Sequence, residues 1–338
     1  MLHASQHDME SGGAQCGSGL IASDIKSSIV LPRRRIKAIA TWLLNHHPIH
    51  GRPVVARAPP PSYAVIRVVC ISDTHNAQPD LPPGDILVHA GDLTENGSFA
   101  ELDAQLAWLA AQPHPHKLVV AGNHDVLLDD AFLARHPARR YGDARTKADL
   151  PLGPPLTYLQ DSSARVGVVD RPGAEKALLV YGSPWTPAYG VSAFQYARHE
   201  DPWNGAVPDG VDVLLTHGPP RGHLDRRDFH DAGCSYLAAE VFRLRPRLHV
   251  FGHIHAARGR EDLVLDRARR IHDEVYAGWA GWPSVLLLAV DVLLANMQCL
   301  LLGRERMLAR QRVTTFVNAA TVGGPHNDIV NEAIVVEL

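Results

Sequence analysis

Five apolar runs of strand length, each ending in a small group of Asp, His or Asn residues, constrain the fold of this chain most strongly. They are YAVIRVVCIS at 63–72, DILVHA at 85–90, KLVVA at 117–121, DVLLTHGPP at 212–220 and RLHVFGHIH at 247–255. Short runs rich in Val, Ile and Leu are typical of strands that are buried on both faces. Because the carboxyl ends of parallel strands meet at one edge of a sheet, we expect their polar residues to lie together.

Helical patterns alternate with these runs, which favours an α/β fold class. Residues 98–112 place apolar side chains at helical spacing, and Ser98 is a suitable N-cap. The 338 residues suffice for one large domain or two modest ones. Further helices are predicted at 128–136 and 233–244, and late strands at 313–320 and 333–338.

The polar groups at the strand ends combine the ligand types that first-row metal ions bind. In chain order they are Asp73 and His75, then Asp92, then Asn123, His124 and Asp125, then His217, and last His253 and His255. Carboxylate, imidazole and amide groups suit Mn, Fe, Zn or Co, and without a thiolate among them a structural zinc site is disfavoured. Each group alone also fits a turn residue, a helix cap or a loop histidine, whereas the five together predict a metal site.

In this order the five groups resemble the D-x-H, GD, GNH[DE], H and GHxH motifs of the calcineurin-like metallophosphoesterase superfamily. The motifs span residues 73–255 and all follow predicted strands. The stretches HAGDLT, AGNHD, YGSPWTP, THGPP and FGHIH are similar to one branch in particular, the metallophosphoesterase-domain-containing phosphodiesterases of fungi and animals. The resemblance implies a four-layer α/β/β/α sandwich with two divalent metal ions, of identity left open, at one end.

The resemblance also implies a role for each residue at the strand ends. One metal ion would be held by Asp73, His75, Asp92 and His255, and the other by Asp92, Asn123, His217 and His253. A hydroxide shared by the two ions would attack phosphorus. His124 would protonate the leaving group or stabilise charge on the phosphoryl oxygens, and Asp125 would orient His124.

The leading functional prediction is a metal-dependent phosphoesterase that hydrolyses a small phosphodiester or phosphomonoester. A nuclease or a phosphoprotein phosphatase is the first alternative. The formal net charge of −3 and the lack of a basic stripe in residues 63–255 argue against nucleic acid as the substrate. A catalytically weak scaffold that binds a nucleotide or a protein partner is the second alternative, and the complete ligand set argues against it.

Two segments lie outside the motif-bearing region. Residues 1–62 are predicted to be a disordered or weakly helical extension of a domain that spans 63–338, with one basic helix within 31–47. The extension begins without the apolar core of a signal peptide, so a cytoplasmic location is expected. Residues 259–311 are predicted to be an apolar helical insertion near the C-terminus.

The apolar stretch 282–303 within this insertion approaches the length of a membrane span. Asp291 would be costly in the middle of a bilayer, and a span would separate residues 313–338 from their sheet. We therefore expect a helix that is packed on the domain or lies on a membrane surface. A peripheral membrane contact through 282–303 is left open at this point, as is the oligomeric state.

Overall fold

A computed structural model describes residues 34–54, 65–171, 174–227, 230–324 and 326–338. Within these residues most strands belong to two sheets that lie face to face. The strands are β1 Arg67–Ile71, β2 Ile86–His89, β3 His116–Val119, β4 Thr157–Tyr158, β5 Ser162–Arg171, β6 Ala174–Ser183, β7 Thr186–Pro187, β8 Gln195–Tyr196, β9 Val213–Thr216, β10 Arg226–Arg227, β11 His230–Asp231, β12 Leu248–Phe251, β13 Gly259–Val264, β14 Val313–Asn318, β15 Val322–Gly323, β16 Asp328–Ile329 and β17 Ile334–Glu337.

The helices occupy the outer faces of the sheets and the insertion. They are α1 at 34–45, α2 Phe99–Ala110, α3 Asp130–Arg135, α4 Ser235–Leu244, α5 Arg267–Ala277, α6 Trp282–Leu302 and α7 Arg304–Ala309. Short 3-10 helices lie at Val126–Leu128, Pro137–Arg140, Lys147–Asp149 and His255–Ala257. The predicted N-cap of α2 is confirmed, because the Ser98 hydroxyl accepts from the Glu101 backbone while the Glu101 carboxylate accepts from the Ser98 backbone.

The two large sheets are mixed, with parallel strands at their centres. The first has the order β17-β1-β2-β3-β4, in which β1 to β4 are parallel and β17 is antiparallel to β1. The second has the order β13-β14-β12-β9-β6-β5, in which only the outer strands β13 and β5 are antiparallel to their neighbours. All five predicted runs therefore supply strands, three to the first sheet and two to the second.

The four-layer α/β/β/α sandwich predicted from the sequence is confirmed. Alternate residues of β1 face opposite sides: Val68 and Cys70 pack in the core between the sheets, whereas Val69 and Ile71 pack in the core that α2 and α3 cover. On the far side of the second sheet, Leu237 of α4 packs in a third core. Burial on both faces explains why the strands read as nearly continuous apolar runs.

The insertion differs from the prediction at its start. Residues 259–264 do not begin a helix but form β13, which pairs antiparallel with β14 along its whole length. This pairing satisfies the backbone groups of β14 that would otherwise face solvent at the sheet edge. In chain order, the helices α5 to α7 come between β13 and β14.

Residues 34–54, which the sequence assigns to a disordered or weakly helical extension, are ordered and pack on the insertion. Ala40, Leu43 and Leu44 of α1 are buried against α5 and α6. The His50 imidazole lies 2.8 Å from an Asp266 carboxylate oxygen at the start of α5. A short helix gains most of its stability from such packing, and the covering surface lies more than 200 residues away in the chain. Residues 1–33 and 55–64 lie outside the described residues, so the predicted boundary at 62 stays a prediction.

Candidate metal centre

The seven predicted ligands come together at the carboxyl ends of five strands drawn from both sheets. Asp73 and His75 follow β1, Asp92 follows β2, and Asn123 follows β3 in the first sheet. His217 follows β9, and His253 and His255 follow β12, in the second sheet. The two-sheet architecture therefore brings a carboxylate-rich half and an imidazole-rich half to one end of the sandwich.

The ligand atoms of Asp73, His75 and His255 form one compact group, all within 4.8 Å of one another. His255 Nε2 lies 3.4 Å from Asp73 Oδ1. His75 Nε2 lies 3.8 Å from Asp92 Oδ2, which places Asp92 at the edge of the group. These are the four residues that the resemblance assigns to one metal ion.

Asp92, His217 and His253 form a second group within the same 4.8 Å limit. His217 Nε2 lies 3.4 Å from Asp92 Oδ1 and 3.0 Å from Asn123 Oδ1. The two carboxylate oxygens of Asp92 therefore point to different groups, Oδ2 toward His75 and Oδ1 toward His217. A carboxylate in this position can bridge two cations.

The chemistry of the buried atoms fits a metal ion. His75 Nε2 is buried and has no hydrogen-bond partner among the described residues. An unpaired polar nitrogen in a buried position costs roughly 1–3 kcal/mol, and a cation there would use its lone pair. Imidazole, carboxylate and amide together make a donor set for borderline first-row ions.

Hydrogen bonds, most of them to backbone groups, hold the ligand side chains in position. His217 Nδ1 lies 2.8 Å from the Ala90 carbonyl, so its proton belongs on Nδ1 and the Nε2 lone pair faces the group. The His253 amide donates to both oxygens of Asp73, each at 3.0 Å, and the His124 amide donates to Asp92 Oδ1 at 2.8 Å. Ser192 accepts from the Asn123 side-chain amide at 3.1 Å, which fixes the direction of Asn123 Oδ1.

Four of the ligands adopt a left-handed backbone conformation that side chains rarely occupy. The φ angles are 53° at Asp73, 44° at His75, 54° at Asp92 and 67° at His253. Each such residue costs on the order of 1 kcal/mol, and such residues concentrate at functional sites. The ends of the strands impose this backbone geometry and with it the directions of the ligand side chains.

Electrostatics keep the two central carboxylates charged. Burial disfavours the charge of Asp92, but His217, His124 and His75 outweigh burial and hold the pKa of that carboxyl well below its usual range. Burial likewise opposes the charge of Asp73, yet the hydrogen bond and charge of His255 lower its pKa. Burial would lower the pKa of His217, but Asp92 and Asp73 raise it to about 9, so a metal ion bound at Nε2 would displace a proton there. Asp73 and Asp92 therefore place two buried negative charges at this end of the sandwich, and bound cations would compensate them.

Gly122 and Gly252 leave room for these carboxylates. A Cβ on Gly122 would lie 2.2 Å from Asp92 Oδ1, and one on Gly252 would lie 2.1 Å from Asp73 Oδ2. Neither distance is compatible with a side chain, so both glycines are needed for the close approach.

The substitution Gly122→Ala is expected to displace the Asp92 carboxylate and to lower the free energy of unfolding by about 1–3 kcal/mol. Metal content after dialysis against Mn should fall with it. Gly153→Ala is the matched control, because a Cβ at Gly153 meets nothing within 4 Å. Thermal unfolding and metal analysis of both variants measure the effect; equal stability and metal content in the two would contradict this reading.

Asp125 does not orient His124 as the sequence analysis expected. Its carboxylate accepts from the amides of Leu93, Thr94 and Gly122 at 2.8–3.2 Å and from the Thr94 hydroxyl at 2.7 Å. These bonds tie the loop after β2 to the loop after β3. The ring of His124 is oriented instead by the Glu95 carbonyl, 2.7 Å from His124 Nδ1. Asp125 therefore shapes the loops that carry the ligands.

Glu95 is the residue that the sequence reasoning missed. Its Oε2 lies 3.2 Å from His75 Nδ1, and its ligand oxygen groups with His75 and His124 within 4.8 Å. Asn327 donates to the same oxygen at 2.9 Å. The available signal was an acidic residue three positions after Asp92, in the stretch GDLTEN.

A further histidine group lies away from this end. His47, His50 and Asp266 also bring ligand atoms within 4.8 Å. However, His47 Nδ1 accepts from the Ile49 amide at 3.2 Å, so its other ring nitrogen carries the proton. The group is a hydrogen-bonded tie between the segment after α1 and α5.

A cavity of about 1050 Å³ lies beyond His255, between α4 and α5. Arg221 and Arg258 line it, and the Nε atom of each is buried without a hydrogen-bond partner among the described residues. Trp279 also lines the cavity, with the Arg221 guanidinium 5.9 Å from its ring centre. None of the seven ligands lines this cavity, so it is a neighbour of the metal centre and not the centre itself.

The fold and this end of the sandwich agree with a known class of proteins. The family model for calcineurin-like phosphoesterases matches residues 66–257, from just before β1 to just beyond the last two ligands. The chain belongs to the calcineurin-like phosphoesterase family, and the resemblance read from the five motifs is confirmed.

Three individual proteins are similar to this chain over more than half of its length. The chain is 38% identical over 225 residues to metallophosphoesterase domain-containing protein 1 of Homo sapiens, which covers 61% of this chain and 65% of that protein. It is 34% identical over 207 residues to a UPF0046 protein of Caenorhabditis elegans, and the match covers 57% of this chain and 70% of that protein. It is 40% identical over 277 residues to a probable rhamnogalacturonate lyase C of Emericella nidulans, covering 81% of this chain and 24% of that protein. The chain thus spans a quarter of the last of these and just under two thirds of the first.

Proposed function

We propose that this protein is a metal-dependent phosphoesterase that binds two divalent ions and hydrolyses a small phosphodiester or phosphomonoester. The observation that carries the proposal is the position of Asp92 between two groups of ligands, with one carboxylate oxygen toward each. Asp73, His75, Asp92 and His255 would hold one ion, and Asp92, Asn123, His217 and His253 the other. When bound, such ions supply Lewis acidity toward phosphoryl oxygens and toward the attacking water.

Side chains of the protein would orient the substrate and donate a proton to its leaving oxygen. His124 stands beside the first group, with its ring centre 4.8 Å from that of His75. Its Nδ1 is engaged by the Glu95 carbonyl, so Nε2 is the ring atom that can donate a proton to a leaving oxygen. The negative charge of Asp92 and the Glu95 hydrogen bond raise the pKa of His124 against the opposing effect of burial, which favours the protonated form required of a general acid.

The cavity beside the centre supports an anionic substrate. Arg221 and Arg258 present buried guanidinium nitrogens that lack partners among the described residues. A phosphate ester bound in this cavity would supply acceptors for them. This arrangement favours a small ester over the nuclease alternative, because the cavity is a local pocket and not an extended basic track.

The scaffold alternative is less consistent with the site than catalysis. A binding protein would not need Asp92 to lie between two groups of metal ligands. Nor would it need His124 to be held by Nδ1 with Nε2 left to face a substrate. A phosphoprotein phosphatase would use the same centre and differ only in the substrate that it admits, so substrate assays separate it from the leading proposal.

Metal content is the direct test of the proposal. The purified full-length chain, dialysed against Mn and then against metal-free buffer, is expected to retain two metal ions per chain by elemental analysis. Removal with a chelator should abolish hydrolysis of bis-4-nitrophenyl phosphate and 4-nitrophenyl phosphate, and added Mn should restore it. The proposal would be overturned if the chain retained no metal. It would also be overturned if the chain hydrolysed both substrates as fast after chelation as before it.

A further inference from the structure

The helix α6 presents an unusually apolar surface to solvent. It is the one helix among the described residues that is long and apolar enough to cross a membrane, yet only 22% of its most apolar 18-residue window is buried. Eight of its exposed large side chains form one face opposite the packed face. They are Leu286, Leu287, Val290, Leu293, Leu294, Met297, Leu300 and Leu301.

The packed face of α6 is narrow. Val285, Leu288, Val292 and Ala295 are buried against the neighbouring helices and strands. Two polar residues of the helix turn away from the exposed face: Asp291 lies 3.4 Å from Arg267 Nε of α5, and the Asn296 amide donates to the His46 carbonyl. A third, Gln298, is exposed at the edge of that face. A helix that is apolar over most of its surface is normally covered on all sides, whereas the residues that the structure describes cover only one side of α6.

Aromatic and basic residues surround the exposed face. Trp42 of α1 and Trp282 at the start of α6 are both exposed. Tryptophan is enriched where a protein meets the interface between lipid tails and headgroups. Two exposed tryptophans beside one apolar helix therefore point to the same kind of environment.

The charge around the face is strongly positive, although the whole chain carries a net charge of −3. The segment 34–54, which packs beside α6, contains Arg34, Arg35, Lys37 and Arg52 and no acidic residue. Residues 304–312, which follow α6 directly, contain four arginines and one glutamate. Clusters of basic residues beside an apolar face are complementary to a membrane surface that carries anionic lipids.

We propose that the exposed face of α6, with α1 and the arginines of 304–312, docks the protein on the surface of an anionic lipid bilayer. The helix lies in the plane of the interface and does not span the membrane. Spanning would strip α6 from its buried partners and leave Asp291 in lipid without Arg267 of α5 beside it. The proposal does not depend on the catalytic one.

A bilayer fits this face better than a second copy or another protein would. Protein interfaces carry hydrogen-bonding groups at roughly one bond per 100–200 Å². The eight exposed side chains of α6 offer none. The excess of positive charge on its flanks would also repel a second copy docked face to face.

Vesicle flotation of the full-length protein tests the proposal. Vesicles of phosphatidylcholine with 30 mol% phosphatidylserine should carry the protein, vesicles of phosphatidylcholine alone should carry less, and high salt should weaken the binding. Leu293→Glu should reduce the partition coefficient by about tenfold or more. Val330→Glu is the matched control, because both side chains are 61% exposed and Val330 lies outside the face. Arg34→Gln with Arg35→Gln should reduce the preference for the anionic vesicles.

Far-UV circular dichroism and thermal unfolding of each variant show whether it is folded, independently of catalysis. The proposal fails if the wild-type protein floats with neither vesicle, or if Leu293→Glu and Val330→Glu bind alike. It also fails if light scattering shows a dimer that Leu293→Glu converts to a monomer while vesicle binding is absent, because a second copy would then cover the face.

Discussion

Asp92→Asn is expected to reduce metal-dependent hydrolysis of bis-4-nitrophenyl phosphate by about a thousandfold or more. Among the residues that the structure describes, Asp92 is the side chain whose two anionic oxygens face both ligand groups, and the substitution removes it. It also leaves the positive charges of the bound ions uncompensated at the point where they meet. Loss of several kcal/mol of charge stabilisation corresponds to a rate loss of this size.

Elemental analysis of the same variant should show fewer than two ions per chain. Asp103→Asn is the matched control, because Asp103 is exposed on α2 and away from the ligands. Near wild-type turnover by Asp92→Asn with two ions retained would show that Asp92 is not a bridge.

His124→Ala is expected to slow hydrolysis by about 10²–10⁴-fold for esters with a poor leaving group, and far less for nitrophenyl esters. A general acid matters most when the departing oxygen is strongly basic, and 4-nitrophenolate leaves without help. The residue is suited to this role because the Glu95 carbonyl fixes one ring nitrogen and leaves Nε2 for the substrate.

The measurement compares kcat over a series of aryl and alkyl esters for the wild type and for His124→Ala, with His199→Ala as a control on an exposed histidine. A steeper dependence on leaving-group pKa in His124→Ala supports proton donation. A uniform loss over the whole series would assign His124 to stabilising charge on the phosphoryl oxygens instead.

The strands and the place of the candidate ligands at their ends could be predicted from the sequence because both depend on local patterns. A strand buried on both faces must be apolar throughout, and a residue that follows such a strand must lie at the sheet edge. Asp73, Asp92 and His217 are therefore located by their place in the chain alone. The structure brings all seven predicted ligands to one end of the sandwich, as this argument requires.

Features that depend on distant contacts could not be predicted in this way. The order of α1 follows from a surface on the insertion more than 200 residues away, which no local pattern reveals. The direction of the Asp125 side chain depends on where the amides of Leu93 and Thr94 point, and that is set by loop geometry. The same holds for the contact between Glu95 and His75.

The pairing of β1 with β17 has a consequence for the order of folding. Arg67 at one end of β1 is aligned with Glu337, so the strand that carries the first two ligands meets its outer neighbour only after nearly the whole domain has been synthesised. Until then one edge of a buried, apolar strand lacks its partner, and such edges are prone to pair with other chains. Contacts this far apart in sequence are also slow to form. The strand 334–337 thus completes this edge of the sheet late in folding.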